Sequence, residues 1–460
     1  MLQSLLVNSL ERIASLQHFY ELENENIDKV ATDGMNINRF GYFADRYFSM
    51  LTFIKEEDEE VERLKKRLED FIEVIEANAD EGSVVYRLKG ANYLKEQGYE
   101  LDIKKASIQY KQYEDMPVIH GSNTLIMLIT RFEEFVSNFL SDLYVLFPQK
   151  YLDKQSVTFS ELSSSNINDV KRLIIDRQLD ATMRDSYKEW FKIFESHKLS
   201  FKNYDDEISI LEEIYARRNI LVHNSGRVNE SYLAMVKNDS HKQGEVLTVD
   251  KEYLANAFDA INILIFAISI EAVKLIKSDK NEYLQSVFTM AFDSLCAKKY
   301  KLCSKVYRAL LNSKNLDALH KTMSTVNYWI CCIQMNGLDS VRAEIENYDV
   351  SALAPIFELA KHILLEEYEY SMDILEGLYS KRDVNAHMIE NWPLFMKFRD
   401  SLQYATFKER HAEDFNVATF ELTTESSLPS IDESKSAVDT INDRSLSNED
   451  KANQKEIALV

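Results

Sequence analysis

A chain of 460 residues that carries only ten glycines and five prolines is poorly equipped for tight turns. An all-β fold needs many such turns, because glycine supplies the positive-φ positions and proline the pre-set ones. Helices tolerate the shortage, so the composition predicts an all-α protein. Hydrophobic residues make up 45% of the chain, enough to bury more than one core. The most apolar stretch, Ala260 to Val273, contains Glu271 and is too short to span a bilayer, so it is expected to be a core helix. The opening MLQSLLVNSLERIASLQHFY lacks a basic leader and reads as an amphipathic helix. Cys296, Cys303, Cys331 and Cys332 form no CxxC pair and have no histidine cluster at zinc-ligand spacing. Reduced thiols, a cytoplasmic location and no membrane partner are the expectation.

Hydrophobic periodicity divides the chain into four parts. Residues 1–117 form an N-terminal helical region. In it Ile54, Val61, Leu64, Leu68, Phe71 and Ile75 recur at helical spacing around the charged run KEEDEEVERLKKRLED, whose EEDEE at 56–60 reads as a solvated face. The segments SVVYRL and ELDIKKASIQY are candidates for short strands. A connection is expected from Asp115-Met116-Pro117 to Gly121-Ser122, followed by an apolar helix that stops near Pro148. With helices near 168–177, 181–197, 205–224 and 250–277, residues 118–278 make an antiparallel helical bundle, and Lys237 to Gly244 make a surface loop.

Residues 282–411 behave differently. LCAKKYKLCSKVYRAL, Leu295 to Leu310, aligns with ILLEEYEYSMDILEGL, Ile363 to Leu378, placing Tyr300 on Tyr368, Val306 on Ile374 and Leu310 on Leu378. The offset of 68 is twice a 34-residue period, and the segment resembles a short array of tetratricopeptide-like helical hairpins. Such arrays bind protein partners on a concave face. From Ala412 to Val460 the chain has eleven acidic and four basic residues without helical period, and reads as a disordered acidic tail.

The stretch with chemical content is EIYARRNILVHNSGRVNESYL, Glu213 to Leu233. On a helix, Asn219 and His223 share one face with Arg218 beside them. Asn224-Ser225-Gly226 offers a stop, with Gly226 the expected C′ residue. An imidazole near a helix end can take up and return a proton at neutral pH. A guanidinium beside it can grip a phosphate with two hydrogen bonds and offset charge developing in a transition state. Arg217 is an alternative source of that guanidinium. Lys171, Arg172 and Arg177, with Arg184 and Lys188, are candidates for a basic approach to an RNA, or for surface ion pairs. The net charge of −22, from 76 acidic and 54 basic residues, repels polyanions at long range and leaves recruitment to such a local patch.

An arginine followed by a polar residue, with a histidine four to six positions beyond the arginine, resembles the signature of HEPN ribonucleases. The helix bearing Arg131, Glu133 and Glu134 is similar to the opening helix of that family. The resemblance covers residues 118–278. It implies Arg218, Asn219 and His223 as site residues and RNA, tRNA included, as substrate. It also implies a homodimer that joins two motifs in one cleft, and a setting in bacterial toxin or antiviral defence systems. Ser225 stands where toxin members controlled by adenylylation carry tyrosine, which argues against that control here. No GxGxxG, GxxxxGK[ST] or HExxH motif occurs, and neither a metal nor another cofactor is expected. A non-catalytic scaffold, or a domain that binds nucleotides without cutting, fits the same sequence if Arg218 pairs with a bundle carboxylate and His223 is a satisfied helix-end histidine.

Overall fold

The computed structural model of the protein describes residues 2–50, 72–78, 83–88, 98, 100–151, 156–164, 166–236 and 241–415. Helices dominate these residues. The expected helix around Ile54 to Phe71 lies outside them, and Ile75 falls in a strand: β1 (Ile72–Asn78) pairs antiparallel with β2 (Ser83–Leu88), which is the SVVYRL segment. The other strand candidate is helical, because its buried positions Ile103 and Ser107 lie four apart and α1 covers them.

Two long helices set the frame, α1 (Leu2–Met50) and α2 (Glu100–Leu146). They run antiparallel, since Tyr42 stacks on Tyr110 at 4.2 Å, Gly34 lies against the Tyr113 ring and Tyr20 stacks on His120 at 5.0 Å. The division expected at 117/118 therefore falls inside α2, which contains Pro117. Proline removes one helical hydrogen bond. Here the contacts of Tyr113 and His120 with α1, one on each side of Pro117, hold the helix through it.

The C-terminal half of α2 enters a bundle with short α3 (Pro148–Tyr151) and α4 (Phe159–Ser164), then α5 (Ile167–Met183), α6 (Tyr187–Ser196), α7 (Asp205–His223), α8 (Glu230–Val236) and α9 (Lys251–Ala272). Asn166 caps α5 by accepting from the Asn168 and Asp169 amides, and Asp250 caps α9 by accepting from Tyr253 N–H. Phe132, Phe135 and Phe139 of α2, Trp190 and Phe194 of α6, Leu211 and Ile214 of α7, and Ile261, Leu264 and Ile268 of α9 are buried together in this unit. The polar edges are satisfied: Tyr144 Oη lies 2.8 Å from Thr182 Oγ1, and Trp190 Nε1 donates to Thr182 O. α9 has the length and apolarity of a membrane span, but 72% of its most apolar window is buried within the protein.

The helices that follow are α10 (Lys280–Cys296), α11 (Tyr300–Asn312), α12 (Ala318–Asn336), α13 (Arg342–Asn347) and α14 (Pro355–Leu364). They belong to the same compact unit, Met1–Glu367, and not to a separate domain beginning at 282. Tyr283 Oη donates to Ser269 O at 3.0 Å, and Lys305 of α11 pairs at 3.0 Å with the buried carboxylate of Glu207 at the start of α7. Cys303, Cys331 and Cys332 are buried free thiols, and Cys296 is an exposed one.

The second unit is Tyr368–Val460, described through α15 (Tyr368–Ser380), α16 (Ala386–Asn391) and α17 (Leu402–Arg410) around Phe395, Phe398 and Phe407. The aligned tyrosines do start matching helices of 13 residues, α11 and α15, but the unit boundary at 367/368 runs between them. Within the tail expected from 412, Phe415 is buried against Tyr404 and Phe407. Residues 416–460 lie outside the described ones.

Gly121 is where α2 meets the strand-like entry to α9, and a β-carbon there would stand 2.2 Å from Val249 O. Gly121→Ala is expected to destabilise the first unit by about 1–3 kcal/mol, because a backbone carbonyl cannot swing away as a side chain would. Urea unfolding measures it, and an unchanged midpoint would refute the close approach.

Candidate active site at the end of α7

α7 carries Asp205, Asp206 and Glu207 in its first turn and His223 as its last residue, an arrangement that complements the helix dipole at both ends. The stop differs in detail from the expected one. Asn224 is the C-cap, Ser225 takes the left-handed position at φ 50°, and Gly226 follows at φ 73°. Both Asn224 N–H and Gly226 N–H donate to Ile220 O, so one carbonyl closes the helix twice. The departing chain is then clamped. Leu247 N–H donates to Gly226 O, Val228 N–H to Glu245 O and Gly244 N–H to Val228 O, around an isolated bridge between Arg227 and Val246. A side chain at Gly226 would approach Leu247 O to 2.9 Å, so this crossing requires glycine both for space and for its positive φ. Beneath it Ala216, Ile220, Val228, Tyr232 and Leu247 form a small core.

The adjacent arginines have different fates. Arg217 is buried: its Nε donates to Glu213 at 2.7 Å, its Nη1 donates to Thr248 O at 2.6 Å, and its guanidinium lies 4.1 Å over the Tyr253 ring. Glu213 also accepts from Tyr232 Oη at 2.7 Å and Tyr253 Oη at 2.6 Å. Burial, then the Glu213 carboxylate, push Tyr253 well above the usual phenol range, so it remains a donor. Arg217 is thus consumed in holding α7, α8 and α9 together and is not the guanidinium of an exposed site.

Arg218 is half-buried and its one described hydrogen bond goes to its neighbour, Asn219 Oδ1, at 3.2 Å. Among the described residues no carboxylate stands within ion-pairing distance of it. It interacts electrostatically with Glu133 of α2, which accepts from Tyr215 Oη at 3.3 Å. Asn219 and His223 are exposed, and His223 has no hydrogen-bond or ion-pair partner among the described residues. Asn219 and His223, four residues apart, therefore share a solvent-facing edge of the last two turns, and Arg218 joins it through its bond to Asn219.

The candidate approach residues are not drawn to that edge. Arg177 pairs with Glu161, and Lys188 pairs at 2.6 Å with Glu212. Lys171 and Arg172 are exposed near the start of α5, and no described contact joins them to Arg218 or His223. Among the described residues no three His, Cys, Asp or Glu side chains converge on a point where a metal ion would sit. Sequence reasoning missed the Glu213 hub. Its i,i+4 pair with Arg217 was readable, while Tyr232 and Tyr253 arrive only through the fold. No family model, curated protein or solved structure matches this chain.

Two outcomes separate the roles. Arg217→Met is expected to cost about 3 kcal/mol by leaving Glu213 without its cation, whereas Arg218→Gln should change stability by less than about 0.5 kcal/mol. Equal effects in chemical denaturation would contradict the assignment.

Glu133 gives a pH test. Burial raises its carboxyl above the ordinary range, against the opposing effects of the Tyr215 hydroxyl and the Arg218 charge. The folded state then holds more protons than the unfolded one between the two pKa values, so ionising Glu133 costs stability as pH rises. Glu133→Gln should raise the melting temperature at neutral pH and lose that advantage by about pH 3, below the unfolded carboxylate range. A gain of the same size at both pH values would point to a cause other than ionisation.

Proposed function

We propose that the end of α7 is half of a metal-independent RNA-cleaving site of HEPN type, completed by a second copy of the chain. The observation that carries this reading is the contrast between neighbours. In a protein with 76 acidic residues, Arg217 is engaged by Glu213 and Thr248 O, while among the described residues Arg218 has no ion pair and the exposed His223 has no hydrogen-bond or ion-pair partner. An arginine kept from carboxylates in so acidic a chain is available to an external anion.

The chemistry follows from those groups. The 2′-hydroxyl of the RNA attacks the adjacent phosphorus as a base removes its proton, the bond to the 5′-oxygen breaks, and an acid protonates that oxygen. The products are a 2′,3′-cyclic phosphate and a free 5′-hydroxyl. The two proton transfers need a base and an acid, and a two-fold axis near His223 would supply one histidine from each copy. Val222 and Val246, 49% and 51% exposed, put apolar surface beside the motif that such a contact would cover. Arg218 would hold the phosphate, and Asn219, which accepts from it, would fix its direction.

The biological reading is a cytoplasmic endoribonuclease, acting on tRNA or another RNA in a toxin or antiviral defence setting. The helices from α10 onward, tetratricopeptide-like in sequence, would receive a protein partner that restrains or recruits it.

Wild type is expected to cleave RNA in EDTA and to leave cyclic phosphate ends. His223→Ala and Arg218→Gln should each lose about 10²-fold or more in rate while retaining the wild-type fold and oligomeric state. Cleavage of total RNA and tRNA, with end-group analysis, measures this. Equal rates for wild type and His223→Ala would remove the site from consideration.

A further inference from the structure

A second polar site lies on the other side of α2. Residues Asn8, Ser9 and Arg12 of α1 and Arg131, Glu134 and Asn138 of α2 line a cleft of about 100 Å³ along the seam between the two helices. Their spacings, four residues from Asn8 to Arg12 and three and seven from Arg131 to Glu134 and Asn138, place each set on one helix face. That volume is ample for a tetrahedral oxyanion, since one water molecule needs only about 10–15 Å³ of such space.

Its lining carries more positive than negative charge. Arg12 and Arg131 both bond to Glu134, the latter at 3.1 Å. The carboxylate is opposed by its own partial burial, yet the bonds from Arg12 and Arg131 hold it below the usual range, so it is ionised. Two guanidiniums against one carboxylate leave one net positive charge in a chain of net charge −22. Each guanidinium offers five N–H donors and gives one to Glu134, which leaves about four apiece. The Asn8 and Asn138 amides and the Ser9 hydroxyl add further donors. Glu134 therefore acts as a brace that holds two arginines at a fixed spacing across the cleft, with most of their donors unspent. A planar fork of this kind suits a phosphate better than a carboxylate, because three or four oxygens can each take a donor.

We propose that this cleft is a phosphate-binding site, distinct from the Arg218 edge. It stands on the cleft's geometry alone and does not rest on RNA cleavage. The two sites are neighbours: Glu133 faces Tyr215 near Arg218, and the next residue, Glu134, points about 100° away into the cleft. The phosphate could arrive on a free nucleotide or on an RNA backbone.

The test is calorimetric titration of the full chain with inorganic phosphate in low-salt chloride buffer, followed by 5′-AMP and a short single-stranded 2′-O-methyl RNA, which lacks the hydroxyl needed for cleavage. Saturable binding is expected, with one site per chain that persists in Arg218→Gln. Arg131→Gln and Arg12→Gln should each weaken it about tenfold or more. Arg218→Gln should leave it within about twofold, which separates this site from the proposed active site. Asn138→Asp, exposed and isosteric, adds a second carboxylate to the cleft and should abolish binding without changing the melting temperature. Equal affinity for 5′-AMP and RNA would assign the site to a terminal phosphate. Tighter RNA binding lost in the same variants would assign it to the backbone. Absence of saturation in wild type, or unchanged affinity in Arg131→Gln and Asn138→Asp, would overturn the proposal.

Discussion

Glu213 accepts hydrogen bonds from Arg217 on its own helix, from Tyr232 on α8 and from Tyr253 on α9. A half-buried carboxylate is costly unless it is paired and its lone pairs are satisfied, and these three donors meet both conditions. The consequence is directional. With Arg217 turned inward onto Glu213, Thr248 O and the Tyr253 ring, the next residue along the helix turns about 100° away, which sets Arg218 on the outer edge. Asn219 and His223 follow from the same rotation. The chemistry proposed for Arg218 thus depends on a polar hub that takes no part in it.

The end of α7 is fixed as firmly as its rotation. Closure of two amides on Ile220 O, the positive φ at Ser225 and Gly226, and pairing of residues 226–228 with 244–247 leave the chain little freedom after His223. A proton-transfer group must be placed to within a fraction of an ångström of its target, and a helix end clamped by a β-bridge meets that demand better than a free loop. The two long helices add a second layer. α2 faces α7 through Glu133 and α1 through Glu134, so one turn of one helix borders both the Arg218 edge and the arginine cleft.

Much of this was legible. Scarcity of glycine and proline gave helices, and the motif from Arg218 to His223 located the edge. Tyr300 and Tyr368, aligned in sequence, each begin a helix of 13 residues. Other expectations moved for identifiable reasons. Pro117 reads as a break, yet α1 packs on both sides of it and the helix continues. A domain boundary near 282 reads well from a change of pattern, yet the Lys305–Glu207 pair and the Tyr283 bond tie the following helices to the bundle. Phe415 sits in a polar stretch, and only the aromatic neighbours that reach it show that it is core.

The sequence by itself determined the helical class and which residues share a helix face, because both follow from local periodicity and turn chemistry. It also narrowed the guanidinium to Arg217 or Arg218. It preferred Arg218, because the polar Asn219 follows it as in the resembled motif, and left Arg217 as the alternative. The tertiary structure decided their surroundings, by bringing Tyr232, Thr248 and Tyr253 to one side of α7, where Arg217 satisfies a half-buried carboxylate, while Arg218 has no ion pair among the described residues.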